Sequence, residues 1–127
     1  GMNAAIIGVG NLGKAITTYF NGKRTKLKIV ATFDIDPEKA NRVIAGVKCY
    51  PMSDLKKLIA ELDIRIGIMT VPPENATAVA ENLVHAGIKG ILNYTSTPLN
   101  VPQSVYLEEY DMITSLEKVA YFVKQKK

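Results

Sequence analysis

Cysteine and histidine are nearly absent from this chain of 127 residues, which has one of each. A single cysteine, Cys49, cannot form a disulfide within the chain, so a disulfide-stapled domain is excluded and a reducing, cytoplasmic location is expected. The scarcity of both residue types also argues against a metal site of the zinc type. No apolar run approaches the length of a membrane span, so no membrane association is expected.

The overall composition is that of an ordinary soluble domain, with 47% hydrophobic and 22% charged residues. Residues 2–127 are expected to form one domain, and Gly1 is interpreted as a residue left by tag cleavage. The net charge of +4 is concentrated in two basic runs, residues 23–28 and 124–127. Neither run contains interleaved aromatics or a recognisable nucleic-acid motif, so both are interpreted as solvated segments.

A glycine-rich run, Gly8-Val9-Gly10-Asn11-Leu12-Gly13, connects a short apolar segment to a helical pattern. The spacing predicts a dinucleotide-binding turn: Gly8 allows a tight turn, Gly10 lets a pyrophosphate approach the backbone, and Gly13 lets the helix pack closely on the strand. The N–H groups at the helix start would face the phosphates. The core-facing stripe of this helix is predicted at Leu12, Ala15, Ile16, Tyr19 and Phe20.

Asp34 strengthens the prediction, because it ends the next apolar run, residues 27–33. A carboxylate at the end of this second strand is where dinucleotide-binding domains hold the adenosine ribose hydroxyls. Beyond it, Asp36 and Pro37 resemble an N-cap and first helical residue, so a helix is predicted to follow and to end at Gly46.

Strand-like and helix-like patterns alternate along the whole chain, which predicts an α/β Rossmann-type domain with a mostly parallel sheet and helices on both faces. Ligands of such sheets bind beyond the carboxyl ends of the strands. Three loops, residues 8–13, 70–74 and 93–97, are therefore expected to border one crevice. The predicted cofactor-binding residues are Gly8, Gly10, Asn11, Leu12, Gly13, Asp34, Thr70, Val71, Pro72, Asn93 and Tyr94.

The chemistry of the second and third loops favours binding over catalysis. Their hydroxyls, amide and aromatic ring suit a nicotinamide, but they contain no histidine or lysine to exchange a proton with a substrate. His85, the one histidine, falls on the polar side of a predicted helix and is expected to be exposed. No catalytic residue and no metal ligand is predicted.

The chain resembles the cofactor-binding domain of the Rex family of redox-sensing transcriptional repressors over essentially its whole length. Four segments carry the resemblance: Gly8–Gly13, Phe33–Lys39, Thr70–Pro72 and Ala86–Asn93. The resemblance implies a domain that binds NADH and NAD⁺ competitively, with NADH releasing the repressor from DNA. It also implies a homodimer formed by swapping a C-terminal helix, with Asp111 taking part in redox-coupled domain contacts.

Two departures from the family limit this prediction. The family has an N-terminal winged helix, whereas this chain starts at the first Rossmann strand, so either a DNA-binding segment lies elsewhere or the protein is a stand-alone relative. Direct DNA binding by this chain alone is not expected. The loop after Asn93, residues 94–99, also departs from the usual family pattern. Two alternatives stay open: a CoA- or nucleotide-binding accessory protein, and the N-terminal fragment of a dehydrogenase.

The last predicted helix, from about Ser115, is apolar on more than one side. Val119 to Val123 are five consecutive apolar residues, whereas a helix lying on its own sheet needs a stripe only about 100° wide. The excess predicts an interface, and the resemblance identifies it as the homodimer contact.

Overall fold

A computed structural model describes residues 1–20 and 26–126. Within these residues, seven strands form one sheet in the order β3-β4-β2-β1-β5-β6-β7. The strands are β1 (Met2–Ile7), β2 (Leu27–Asp34), β3 (Val43–Ile44), β4 (Val47–Pro51), β5 (Ile64–Met69), β6 (Gly90–Asn93) and β7 (Tyr106–Glu109). All neighbouring pairs are parallel except β3 with β4. The predicted α/β Rossmann-type fold is confirmed.

Four α-helices accompany the sheet in the described residues: α1 (Asn11–Phe20), α2 (Leu55–Glu61), α3 (Ala76–His85) and α4 (Met112–Gln125). The first three cover both faces of the sheet, because alternate side chains of β1 enter different cores. Ala4 and Ile6 pack on the side of α1, whereas Ala5 and Ile7 join the core formed with α2 and α3. Each helix apart from α4 thereby buries one apolar side against the sheet.

The buried face of α1 differs from the predicted one. Gly13 and Thr17 are its fully buried residues, whereas Leu12 and Tyr19 are exposed. The small residues face the sheet because α1 lies close to it, and the Thr17 hydroxyl is satisfied by the carbonyl of Gly13 at 2.7 Å. Of the predicted stripe, Ile16 and Phe20 are half-buried and pack on the core, whereas Leu12, Ala15 and Tyr19 are exposed.

The helix predicted after Asp36 is wrong. Residues 36–42 form turns, and β3 pairs with β4 in an antiparallel hairpin. Ala45 and Gly46, at its tip, have φ of 51° and 82°, the pair of positive values that a tight two-residue hairpin requires. Asp36 does cap a local turn, accepting from the N–H of Glu38 at 2.9 Å, so the local capping pattern was correct while the helix was not.

The last helix is longer than predicted and begins at Met112. Asp111 is its N-cap, and the carboxylate accepts from the N–H groups of Ile113 and Thr114. Every described residue of α4 is exposed. Among the described residues, none of its apolar side chains is therefore buried against the rest of the domain.

Part of the basic run, Lys23 to Thr25, and the terminal Lys127 lie outside the described residues. In the residues that the structure describes, no helix is long and apolar enough to cross a bilayer. Cys49 is fully buried and His85 is exposed, both as predicted.

Candidate functional site

The centre of the site is the carboxyl end of β1, where the strand order of the sheet reverses direction. From β1 the chain proceeds to β2 on one side and later to β5 on the other. Loops leaving β1 and its neighbours must diverge at this point, which opens a crevice at the carboxyl ends of the strands. The glycine-rich loop lies at the start of that crevice.

Two glycines of this loop are dictated by close backbone contacts. Gly8 has φ of 101°, and a Cβ there would lie 2.8 Å from the carbonyl group of Thr70. A Cβ on Gly13 would collide with the carbonyl oxygen of Gly8. These contacts hold the first turn of α1 against the end of β1 and leave no room for larger residues.

Gly10 has the opposite environment. It is exposed, and no atom lies within 4 Å of the position a Cβ would take. The helical hydrogen bonds of α1 begin with Lys14 N–H donating to Gly10 at 3.0 Å. The preceding N–H groups, those of Asn11 to Gly13, are not used by the helix ladder and lie at its positive end. This geometry suits an anion that approaches the backbone.

Asp34 is fixed beside this loop. The carboxylate is buried and accepts from the N–H of Val9 at 2.8 Å through Oδ2 and from the N–H of Asp36 at 2.8 Å through Oδ1. Each carboxylate oxygen can accept more than one hydrogen bond. Asp34 therefore positions the glycine-rich loop and retains capacity for a hydroxyl donor.

The second predicted loop packs directly on the first. Thr70 donates from its N–H to Ile7 at 2.8 Å and from its hydroxyl to the carbonyl of Gly8 at 2.6 Å. Val71 is buried, whereas Pro72 is exposed. The Thr70 hydroxyl proton is thus committed to the protein, and this loop presents mainly apolar surface to the crevice.

Asn93 organises the third loop. It is 1% exposed; its Oδ1 accepts from the N–H and hydroxyl of Thr95, and its Nδ2 donates to Thr97 and Glu109. All the capacity of its amide group is used within the protein. The loop is joined to the second one because the Thr97 hydroxyl donates to Pro73 at 2.9 Å.

The structure therefore brings the three predicted loops together, and the individual ligand contacts of the predicted residues stay predictions. It also adds residues that the sequence did not indicate. The ammonium of Lys39 donates to the carbonyl of Val9 at 3.5 Å, and the ring of Tyr110 packs on Tyr94. Lys39 was missed because its segment was interpreted as a helix, although Phe33–Lys39 had been recognised as a continuous motif.

Two other chemistry-bearing residues are not among the predicted site residues: Cys49, which shares a core cluster with Val9, and His85. Burial raises the pKa of the Cys49 thiol, and a hydrogen bond from Thr32 opposes this only in part. His85 lines a separate groove of about 280 Å³, which is also lined by Pro98 and Leu99. Among the described residues, no group of three or more metal-binding side chains is present.

Comparison with protein families gives a match over residues 2–97 to the family described as CoA binding domain. The chain is 42% identical to the redox-sensing transcriptional repressor Rex of Limosilactobacillus reuteri over 97% of its own length and 58% of that protein. It is 39% identical to the Rex of Lactiplantibacillus plantarum, over 96% of this chain and 54% of the relative. The chain thus spans a little over half the length of these relatives.

Solved structures give the same result. RSP, a Rex-family repressor, crystallised with β-NAD⁺ and operator DNA, superposes with a TM-score of 0.91 at 36% identity, covering 98% of this chain and 58% of RSP. RSP crystallised with β-NADH superposes with a TM-score of 0.89, over 98% of this chain and 60% of RSP. A UDP-D-quinovosamine 4-dehydrogenase from Vibrio fischeri is 18% identical and superposes with a TM-score of 0.66, over 73% of this chain and 77% of the dehydrogenase. At this level of identity it shares the fold alone. The chain belongs to the CoA-binding domain family, and nearly its whole length is similar to part of the Rex repressors.

Proposed function

We propose that residues 2–127 are the NAD(H)-binding, redox-sensing domain of a Rex-like transcriptional regulator, which responds to the ratio of NADH to NAD⁺. The observation that supports this most is the buried carboxylate of Asp34, held 2.8 Å from the N–H of Val9 beside an open glycine-rich loop. Together they offer an acceptor for ribose hydroxyls and N–H donors for a pyrophosphate. RSP, the relative solved with each form of the dinucleotide, supports the choice of ligand.

The same geometry favours NAD(H) over its phosphorylated form and over CoA. A phosphate on the ribose would meet the charge of Asp34, with the carboxylate of Asp36 following two residues later. We expect NADH to bind at least about tenfold more tightly than NADPH, or roughly 1.4 kcal/mol. CoA carries a phosphate on its adenosine ribose and is disfavoured for the same reason.

The proposal describes a sensor and not an enzyme. The three loops contain hydroxyls, two amides, two prolines and one carboxylate, that of Glu74, but no histidine or lysine, and the one histidine of the chain lies in a separate groove. NADH is therefore expected to bind without being oxidised by keto acids. The named relatives are repressors, which agrees with a regulatory role.

Assembly and DNA binding belong to the proposal as well. The exposed apolar side chains of α4 support a homodimer through this helix. The relative bound to operator DNA is longer than this chain, so contact with DNA is assigned to a further domain or partner. Direct DNA binding by this chain alone is not proposed.

Calorimetric titration with NADH, NAD⁺, NADPH and CoA tests the ligand assignment. We expect one binding site per chain for NADH and for NAD⁺, and we expect NADPH and CoA to bind more weakly. The Asp34→Asn variant should reduce the preference for NADH over NADPH, whereas Asp63→Asn, at an exposed residue before β5, should leave it unchanged. Equal affinity for NADH and NADPH in the unaltered protein would refute the ribose assignment, and tighter CoA binding would refute the proposed function.

A further inference from the structure

Lys39 reaches the glycine-rich loop from an unexpected direction. It lies in the turn between β2 and β3, where its N–H donates to the carbonyl of Asp36 at 3.0 Å. This turn directs the side chain back over the end of β1. The ammonium then donates to the carbonyl of Val9 at 3.5 Å, and the residue is half-buried.

Lys39 and Asp34 flank the same residue. Asp34 accepts from the N–H of Val9, and Lys39 donates to its carbonyl. A carboxylate is thus held at the N–H of one loop residue and an ammonium at its carbonyl. A carboxylate selects a neutral hydroxyl donor, whereas an ammonium selects an anion. In an adenosine nucleotide the two groups that fit, the ribose diol and the 5′-phosphate, are also adjacent.

The present partner of the ammonium is a weak one. A distance of 3.5 Å to a neutral carbonyl is at the outer limit of a hydrogen bond. The ammonium has three protons, and a phosphate oxygen gives shorter and stronger charge-assisted bonds than a carbonyl. The ammonium therefore gives up only a weak hydrogen bond to Val9 when it binds a phosphate of the ligand.

We propose that Lys39 is a ligand-binding residue that contacts the 5′-phosphate of the adenosine half of the bound nucleotide. This inference rests on the proposed function, because it places the adenosine ribose at Asp34. It assigns to Lys39 a direct contact with the anion, in addition to the N–H groups of the loop. It does not assign Lys39 to a phosphate on the ribose.

The experiment compares ligands that differ in one phosphate. Binding of NADH, 5′-AMP, 2′-AMP and adenosine is measured at low and high salt, the three smaller ligands by displacement of NADH. The variants are Lys39→Met, Lys39→Gln and Lys39→Arg, with Lys48→Met as the matched control. Lys48 is an exposed lysine of β4 whose ammonium lies 5.1 Å from the ring centre of Tyr50, so it controls for net charge.

We expect Lys39→Met and Lys39→Gln each to lower the affinity for NADH and for 5′-AMP by about tenfold. This is the effect of losing one charged hydrogen bond at a half-exposed site. Adenosine should be unaffected, Lys39→Arg should retain most of the affinity, and the loss should shrink at high salt. The Lys48→Met control should bind every ligand as the unaltered protein does.

Several results would overturn the inference while leaving the proposed function intact: NADH binding unchanged in Lys39→Met, an equal loss for adenosine and 5′-AMP, or full affinity in Lys39→Gln. The last two would show that Lys39 acts only by holding Val9. A larger loss for 2′-AMP than for 5′-AMP would also overturn it. If the unaltered protein binds no adenosine nucleotide, the proposed function fails and this inference fails with it.

Discussion

The ring of Tyr94 lies 5.1 Å from the ring of Tyr110, at an angle of 50°. Tyr94 belongs to the third loop of the crevice, and Tyr110 directly precedes Asp111, the N-cap of α4. The two segments are also joined by the N–H of Tyr110, which donates to the carbonyl of Asn93 at 2.9 Å. The crevice and the exposed helix are therefore connected through one aromatic contact and one backbone hydrogen bond.

Replacing Tyr110 with alanine should loosen this connection. We expect Tyr110→Ala to lower the free energy of unfolding by about 1 kcal/mol, the worth of an aromatic pair beyond its buried area. Urea denaturation measures this, and hydrogen exchange should become faster in both the third loop and the start of α4. Tyr110→Phe keeps the ring and is the control; equal stability of the two variants would show that the ring contact contributes nothing.

Gly10 and Gly13 should respond differently to alanine. Gly13→Ala places a methyl group against the carbonyl of Gly8 and should cost roughly 1–3 kcal/mol of stability, as overpacking does. Gly10→Ala has open space around it and should fold with a free energy of unfolding within about 1 kcal/mol of the unaltered protein. This variant should nevertheless bind NADH more weakly, because the methyl group occupies the position expected for the phosphates.

Thermal denaturation and NADH titration of the two variants decide this point. A stable Gly13→Ala protein would contradict the close approach of α1 to β1. Unchanged NADH affinity in Gly10→Ala would contradict the placement of the phosphates over the loop.

Asp111 should make the start of α4 sensitive to acid. Hydrogen bonds from Thr114, first from its hydroxyl and then from its N–H, lower the pKa of this carboxyl below its ordinary value of 3.8. Because the folded-state pKa is the lower one, the stabilisation of the helix start is complete above about pH 4 and is lost as pH falls through the folded-state pKa.

NMR titration of the Ile113 and Thr114 amide shifts measures that midpoint, which we expect below 3.8. Asp111→Asn retains a capping oxygen without the titration, and its amide shifts should stay flat over the same range. A midpoint at or above the ordinary value would argue against the cap.

Removal of α4 should abolish self-association. The exposed apolar side chains of the helix are Met112, Ile113, Leu116, Val119, Tyr121, Phe122 and Val123. We expect deletion of residues 112–127 to give a soluble monomer, because the helix contributes no buried residue to the domain. Phe122→Glu in the whole chain should weaken the dimer, whereas Glu117→Gln on the same helix should not. Light scattering that shows the intact chain to be monomeric at tens of micromolar would remove the assembly proposal.

The sheet and the crevice could be predicted from the sequence because their patterns are local. Residues 27–34 form a mostly apolar segment that ends in one carboxylate, and the rule for parallel sheets then places the three loops together. The roles of Asn93 and Thr70 could not be predicted, since Asn93 uses its amide within its own loop and on Glu109, and Thr70 uses its hydroxyl on Gly8. Which side chain is committed to the protein depends on contacts between distant segments.

Two errors have a common physical cause. The helix predicted after Asp36 had a sound cap, but β3 gains more by pairing with β4, and that pairing is set by the positive φ values at the hairpin tip. In α1, five apolar residues are predicted to face the core, but only Ile16 and Phe20 pack on it, and the fully buried positions are Gly13 and Thr17, which allow a closer approach to the sheet. In both cases tertiary packing outweighed local periodicity.

Competitive binding of NADH and NAD⁺ tests the central claim most directly. NADH fluorescence is followed while NAD⁺ is added to the intact protein, and total NADH is assayed at the end. The account predicts one NADH site per chain, complete displacement by NAD⁺, and no consumption of NADH. Failure of NADH to bind, or an NADH signal that NAD⁺ cannot displace, would contradict it.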